Sequence, residues 1–421
     1  MAIKTTQINP GLNWYNKWPR NGTCAAKKVE PDLVFIGGQL PVDSDDNIVG
    51  LGDVQEQARF ALVKFKECVE QAGGSMDDVC EVWSYHTDAR DIPAVLEVAK
   101  DFFKKSKPTW ASVSTTGLYK RTARVAFSGT AVLNAKTKDI NPGLEWYNKS
   151  PWDVAVPCKV ANDLVFIGQM CGMDEKGNVV APGDLLAQSR YACKKMIECI
   201  EEAGGTSENI VDIVIYCKDQ RGHDTMFVAT QEFMIKDWKA MAKSRERYAG
   251  TSITQKDMFH PDILGQYHAY GVLGEKKQIP LGKWIPYCFK YPTDIIWPCI
   301  KIGRYIFIAG QVARDPKDEI NDPTGELSII GIKPQVRFAL REMSQLMGFL
   351  GASMDNVVSI TAYHKDCRDM DQVLEVVHEF WRNEKPAWIS VGQTGLHVRQ
   401  MLIEIYGIAI VDEDIYQPYS D

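Results

Sequence analysis

The chain of 421 residues is longer than one hydrophobic core usually supports, and its 45% hydrophobic and 24% charged residues describe a folded protein of two to four domains and exclude a disordered one. A formal charge of -7 supplies no basic field for a phosphate backbone, so a nucleic-acid partner is not expected. Eleven cysteines, an odd number without C-x-x-C or finger spacing, read as reduced thiols. With no basic-then-apolar leader in MAIKTTQINP and no apolar run long enough for a membrane span, the expectation is a cytoplasmic protein that does not engage a membrane.

Taken in order, the elements recur three times. INPGLNWYNK begins at Ile8 and INPGLEWYNK at Ile140, with a weaker echo, IPLGKW, from Ile279. A strand-like run ending near glycine follows each: DLVFIGGQLPVD from Asp32, DLVFIGQMCGMD from Asp163 and YIFIAGQVARD from Tyr305. Next comes an amphipathic helix with a glycine stop, in which Gln57, Gln188 and Gln335 correspond, as do Arg59, Arg190 and Arg337. A strand then carries Tyr85-His86-Thr87-Asp88, Tyr216-Cys217-Lys218-Asp219 and Tyr363-His364-Lys365-Asp366, with Arg90, Arg221 and Arg368 at the following turn. A second helix (VLEVAKDFF, FVATQEFM, VLEVVHEFW) and two closing strands complete each copy. The polar stretches NAKTKD and GEKKQ set the domains at 1–137, 138–276 and 277–421. Helices are expected on one face of a largely antiparallel or mixed sheet, an α+β class.

These features together resemble the RidA family of enamine and imine deaminases. The likeness rests on Gly38-Gln39 and Gly310-Gln311 after the second strand, the Gln-x-Arg helix start, the Ala-Gly-Gly helix end, and Lys218-Asp219 and Lys365-Asp366. Pro108 to Val132 and Pro386 to Ile410 add the final strand pair. The resemblance implies three tandem chorismate-mutase-like domains forming an intramolecular pseudo-trimer. It also implies a central β-barrel and small-ligand clefts between neighbouring domains, with further homo-oligomerisation left open.

The same resemblance locates the site. The family arginine that grips the substrate carboxylate aligns with Trp110, Gly250 and Trp388, so it is absent from all three copies. The family cysteine two residues on aligns with Ser112, Ser252 and Ser390. The family glutamate that orients the attacking water aligns with Ala126, Gln266 and Glu404. Only the third copy keeps the carboxylate. Strand alternation puts Glu404 on one apolar face with Leu402 and Tyr406, where burial should raise its pKa. Two readings stand: a working carboxylate, or a buried ion pair with Arg399.

Without the arginine, a substrate less dependent on a carboxylate and bulkier than the family norm is expected, with Trp110 and Trp388 offering apolar faces to a ring or a cation. The expected site comprises Glu404 and Ser390 as catalytic residues. Trp388, Trp110, Ser112, Arg399, Tyr406 and Gly310 are the expected substrate contacts, with a small-molecule substrate and no cofactor. The reaction expected is hydrolysis of a C–N bond in a small nitrogenous, cyclic or acyclic compound, in one specialised cleft built around the third copy. The alternative class is a non-catalytic ligand-binding or chaperone-like protein. A third, the endoribonuclease activity ascribed to some relatives of RidA, is disfavoured by the acidic charge.

Two further constellations stand out. His86, Cys217 and His364 hold equivalent places and have ligand types suited to zinc if a pseudo-threefold axis brings them together; residence in the same strand of three copies is the simpler reading, and no metal is expected. His260, Asp262, Gln266 and His268 form a polar group near the end of the second copy, more in keeping with the turn around Pro261 than with a second site. No phosphate loop, dinucleotide fingerprint or H-E-x-x-H occurs.

Overall fold

The computed structural model describes residues 3–234, 248–274, 296–314, 329–381, 384–397 and 400–412. IPLGKW, the expected boundary near 276 and Arg399 lie outside these described residues.

The first unit consists of β1 (Thr5–Ile8), β2 (Ala26–Val29), β3 (Leu33–Gln39), α1 (Val54–Gln71), β4 (Val79–His86), α2 (Ile92–Ala99), β5 (Thr109–Ser114), β6 (Gly117–Leu118) and β7 (Val125–Val132). The second runs through β8 (Thr137–Ile140), β9 (Cys158–Ala161), β10 (Leu164–Cys171), α3 (Leu185–Glu202), β11 (Ile210–Cys217), α4 (His223–Met234), β12 (Tyr248–Thr254) and β13 (Gly265–Val272). The third holds β14 (Ile296–Trp297), β15 (Cys299–Ile302), β16 (Tyr305–Val312), α5 (Ile332–Phe349), β17 (Val357–His364), α6 (Met370–Val377), β18 (Ala387–Gly392), β19 (Gly395–Leu396) and β20 (Ile403–Ile410).

Hydrogen bonding gives three sheets, in the orders β1-β2-β3-β7-β4-β5, β14-β12-β11-β13-β10-β9-β8 and β15-β16-β20-β17-β18-β6, with β19 added to β12. The fold is therefore mixed α+β, as the periodicity implies, and the described strands make three sheets instead of one continuous closed barrel. In each, the penultimate long strand lies parallel to its neighbour (β4 with β5, β11 with β12, β17 with β18), because a helix crosses over between them.

The helix-start residues of the repeat act as fasteners. Gln57 donates to Gly50 and Thr122 carbonyls at 3.1 and 3.2 Å and accepts from Arg124 N–H at 2.7 Å. Gln188 and Gln335 do the same to Asp262 and Leu264, and to Gln400 and Leu402. A buried amide that satisfies backbone groups at both ends fixes the long helix to the approach of the last strand. Arg59, Arg190 and Arg337 pair across to the second helical segment, with Asp101, Glu232 and Glu379. Arg90, Arg221 and Arg368 each close on the aspartate two residues before.

The third strand of every unit, β3, β10 and β16, is broken by a bulge, between Ile36 and Gln39, Ile167 and Met170, and Ile308 and Gln311. Gln39 ties its own bulge by donating to Ala25 and Gly37 carbonyls, and Gln311 by donating to those of Pro298 and Ala309. The bulged strand then packs on the penultimate strand of another unit: β5 meets β10, β12 meets β16 and β18 meets β3. Backbone bridges reinforce these seams. Val156 N–H reaches Pro108 O at 3.0 Å, β14 runs parallel to β12, and Cys24 N–H reaches Pro386 O at 3.1 Å. Three seams result, joining unit 1 to 2, 2 to 3 and 3 to 1.

The last seam is tight enough to test. A methyl group on Gly37 would lie 2.7 Å from Trp388 N and 2.9 Å from its carbonyl oxygen, both backbone atoms that cannot swing away. Gly37→Ala should therefore lower the urea midpoint by an amount equivalent to about 1–3 kcal/mol, the usual cost of overpacking. An unchanged midpoint would mean that units 3 and 1 do not close on each other in solution.

Candidate functional site

Glu404 stands on β20 opposite Val312 of β16 and Tyr363 of β17. Only 4% of it is exposed. Its carboxylate lies against Gly310, where a Cβ would come within 1.9 Å of Oε1, so glycine is required there for the acid to fit. Across the seam is β12 of the second unit. Thr251 Oγ1 accepts from Gly310 N–H at 2.8 Å, and the Ser252 backbone N–H points at the Glu404 carboxylate. Oε2 is buried and has no hydrogen-bond partner among the described residues. Burial pushes the Glu404 pKa up to about 8, opposed only by the Ser252 N–H.

The Ser252 hydroxyl contacts Nδ1 of His223, whose Nε2 lies 2.8 Å from Thr254 Oγ1. His223 opens α4, and burial drops its pKa to about 3, with His397 pushing the same way, so the ring is neutral near pH 7. His397 arrives from the third unit just after β19, 5.7 Å from His223 and 6.1 Å from Phe227 between ring centroids. Its pKa is lowered first by burial and also by the charge of Arg314, while Asp224 opposes. Arg314 is itself buried, two residues beyond the strand partner of Glu404. Seam 2/3 thus gathers a carboxyl group, a hydroxyl, two imidazoles and a guanidinium from two units.

Equivalent positions elsewhere have been filled. In seam 1/2 the place of Gly310 is taken by Gln169, whose Oε1 accepts from Ser112 N–H at 3.0 Å; Gln266, in the place of Glu404, donates to Ser112 O at 3.0 Å. These two amides occupy the space a ligand would need. In seam 3/1 Gly38 remains, but the acid position is Ala126, facing Tyr85 as Glu404 faces Tyr363.

The expected site residues therefore part company. Glu404 and Gly310 lie together in seam 2/3, whereas Ser390 and Trp388 belong to seam 3/1 and Trp110 and Ser112 to seam 1/2. Ser390 is bound within its own unit, accepting from Trp388 Nε1 at 2.9 Å and lying 3.0 Å from His364 Nε2. Trp110 is fully buried and donates to Ser84 at 2.9 Å, so its ring is core and not a ligand platform. Tyr406 shares the Glu404 face of β20 but spends its hydroxyl on Asp212 at 2.9 Å. Arg399 lies outside the described residues.

His86, Cys217 and His364 are not brought together. His86 bonds Ser84 at 2.8 Å, Cys217 donates to Asp219 O and His364 meets Ser390. Among the described residues no three His, Cys, Asp or Glu side chains are grouped to hold a metal ion. The polar group of the second unit also disperses: His260 and Asp262 sit in a turn, Gln266 in seam 1/2, and His268 is buried 2.7 Å from Glu81.

What sequence reading missed is the rule of assembly. The partner of the third unit's glutamate is the serine of the second, so Ser252, Thr251, His223, His397 and Arg314 join Glu404, and Ser390 does not. One signal was available: the second copy has Gly250 where the others have tryptophan, together with His223 at the head of the preceding helix.

A protein of three such units, with bulged glycine strands at the seams and a buried acid at one of them, belongs to a recognisable class. The sequence pattern described as Endoribonuclease L-PSP matches residues 25–133 and 297–411, more than half of the chain. The chain is a member of that family, the one to which RidA proteins belong. RutC family proteins of Pyrococcus horikoshii and Pyrococcus abyssi are 37% and 36% identical over 110 residues, covering 26% of this chain and 82% and 81% of theirs. A chorismatase crystal structure matches over 79% of this chain and 93% of its own at a TM-score of 0.51 with 10% identity, a likeness of fold alone. Among the described residues no helix is long and apolar enough to cross a membrane.

The Glu404 shift has a sign that can be measured. Its folded pKa, about 8 against an ordinary 4.5, means that the native state keeps a proton the unfolded chain gives up, so stability is lost as pH rises through that window. Glu404→Gln has no such proton. The stability advantage of the variant over the native protein should widen from pH 4.5 to pH 8 in urea titrations, and a gap that does not change with pH would show that the carboxyl is not held neutral.

Proposed function

We propose an enzyme of the small-molecule hydrolase or deaminase type in preference to a binding protein derived from one, a reading that the family and the chorismatase-like fold support. The proposed enzyme is a hydrolase of C–N bonds in small nitrogenous, cyclic or acyclic compounds, working at seam 2/3 of an intramolecular pseudo-trimer of three domains. The observation that carries this reading is a buried glutamate with one oxygen unpartnered, set against a neighbouring unit's backbone N–H and a Ser–His pair.

In the proposed reaction a water held at Oε2 of Glu404 attacks the imine or amide carbon. Its proton passes to Glu404 as the C–O bond forms. With an amide, Glu404 returns that proton to nitrogen as the C–N bond breaks and the amine leaves; with an imine it returns the proton to give a carbinolamine, whose hydroxyl proton then passes by way of Glu404 to nitrogen as C=O forms, the C–N bond breaks and ammonia leaves. Thr251 and Ser252 position the substrate edge, and the neutral His223 fixes the Ser252 hydroxyl without competing for the proton. Gly250 leaves free the space that a tryptophan takes elsewhere, and Arg314 supplies positive charge near a seam that lacks the family arginine. The reading needs no nucleic acid, cofactor or membrane.

A screen of imines, cyclic amides and ureido compounds tests it. Glu404→Gln should cut turnover of the substrate found by about 100-fold or more. The native rate should climb with pH as the carboxylate forms, with a midpoint near 8. Ser390→Ala, in another seam, should turn over at the native rate. Unchanged turnover in Glu404→Gln would sink the assignment.

A further inference from the structure

We infer that Ser252 is the donor that receives the carbonyl oxygen of an amide or imide at seam 2/3, and that Thr254 aims it there through His223. This role for Ser252 rests on the hydrolase reading above and narrows its substrate to compounds with an oxygen on the carbon attacked.

His223 is buried and neutral near pH 7, its pKa lowered to about 3 by burial, so the ring carries one N–H and one bare nitrogen. Ser252 and Thr254 share a face of β12 and take both nitrogens: Nδ1 meets the Ser252 hydroxyl, and Nε2 lies 2.8 Å from Thr254 Oγ1. Among the described residues neither hydroxyl has another side-chain or backbone partner. Two hydroxyls therefore share one bare nitrogen. One of them donates to it, and the other accepts from the ring N–H and has its own hydrogen to spare.

The surroundings decide which. Thr254 is covered by β19, where a Cβ on its strand partner Gly395 would lie 3.3 Å from Oγ1. Ser252 faces the seam. Its backbone N–H points at Glu404, and its counterpart Ser390 lines the void of seam 3/1 beside Ala126 and Gly38, which stand where Glu404 and Gly310 stand. Thr254 thus donates to Nε2, Nδ1–H donates to Ser252, and the Ser252 hydrogen is the one left for a ligand. The other units lack this chain. Nδ1 of His86 and of His364 is buried without a partner among the described residues, and Ser84 and Ser390 accept from Trp110 and Trp388 instead. Gly250 brings no such indole, so Ser252 takes its hydrogen bond from the ring.

Water loses a proton to Glu404 as it adds to the carbonyl carbon, and the C=O electron pair moves onto oxygen. The Ser252 O–H donates to that oxygen, whose charge is greatest in the transition state. The pair returns as C=O re-forms, and the C–N electrons go to nitrogen, which takes the proton back from Glu404. An imine gathers its charge on nitrogen and has no oxygen for Ser252. Ser252 is the catalytic residue here, and His223 and Thr254 are positioning residues.

Nitrogen NMR of the full chain with isotope-labelled histidine reads the tautomer without a substrate. At pH 7 the His223 signals, identified by their loss in His223→Gln, should show Nδ1 protonated and Nε2 bare. Thr254→Val should move the hydrogen to Nε2, and Thr254→Ser should keep it on Nδ1. The turnover probes are succinimide, an imide, and 1-pyrroline, an imine. Ser252→Ala should cut kcat for succinimide about 100- to 1,000-fold, the usual effect of losing one oxyanion donor, and change 1-pyrroline only a few-fold. Thr254→Val should slow succinimide about tenfold or more, since a wrong tautomer disarms the group it serves, and Thr254→Ser should restore the rate. Hydrogen on Nε2 in the native protein overturns the proposal, even if Thr254→Val does not fold. So does a native protein that leaves succinimide intact or turns over 1-pyrroline faster, or a Ser252→Ala variant that opens succinimide at the native rate. Native turnover in Glu404→Gln sinks the hydrolase reading instead and leaves the tautomer standing.

Discussion

How closely a bulged strand of one unit can approach the penultimate strand of the next decides what each cleft contains. At the first bulge position Gly37 and Gly168 lie beside the backbone of Trp388 and Trp110, where a Cβ would come within 2.7 and 3.2 Å of the backbone nitrogen. The third unit has Ala309 there, and by the same placement it faces Gly250 instead of a tryptophan. At the second position the choice is sharper. Gly310 admits the Glu404 carboxylate, Gln169 fills its own place, and Gly38 lies against Ile389, whose Cγ1 a Cβ would approach to 2.8 Å. A few atoms at a β-bulge thus separate an acid site, a plugged seam and a cavity.

Closeness also explains the electrostatics. A carboxylate beside a glycine bulge, under strands from two sheets, loses its water and receives in return only one backbone N–H. Two amides, Gln266 and Gln169, meet the same surroundings in seam 1/2 with a smaller penalty, because an amide carries no charge to desolvate; Gln169 Oε1 accepts and Gln266 Nε2 donates, while the other end of each amide is buried without a partner among the described residues. Retaining the acid in the third unit costs stability at neutral pH, a cost that the one hydrogen bond from Ser252 N–H does not offset. Such an imbalance is the usual mark of a group kept for chemistry.

Much of this was legible in the residues. The repeated INPGL and FIG segments, the helix spacing and the glycine stops predict three copies of one α+β arrangement, and strand alternation predicts a buried Glu404. Local patterns carry that information because each unit makes its helices and sheet from its own chain. The content of a cleft does not, since it depends on which unit lies against which. Ser390 aligns with the family position as well as Ser252 does, yet only Ser252 crosses to Glu404. Trp110 and Trp388 read as ligand faces because their alignment partner is a binding residue. In the fold each indole donates to a serine of its own unit and packs under the helices, Trp110 against Phe103 and Trp388 against Trp381. The Gln-x-Arg signature marks the family and does structural work at the helix start.

Every cleft draws on two units, and every unit serves two clefts through different strands. The third unit gives Glu404, Gly310 and His397 to one seam and Trp388 and Ser390 to another, so a change in β20 reshapes one cleft while leaving the other. An assembly of identical copies has no such freedom, since one substitution there appears in every cleft at once. Fusion removes that constraint but leaves the scaffold demands of each unit intact. This is why Gln57, Gln188 and Gln335 keep one role in all three units. The residues at the seams answer to a different neighbour each time, and there the three copies no longer agree.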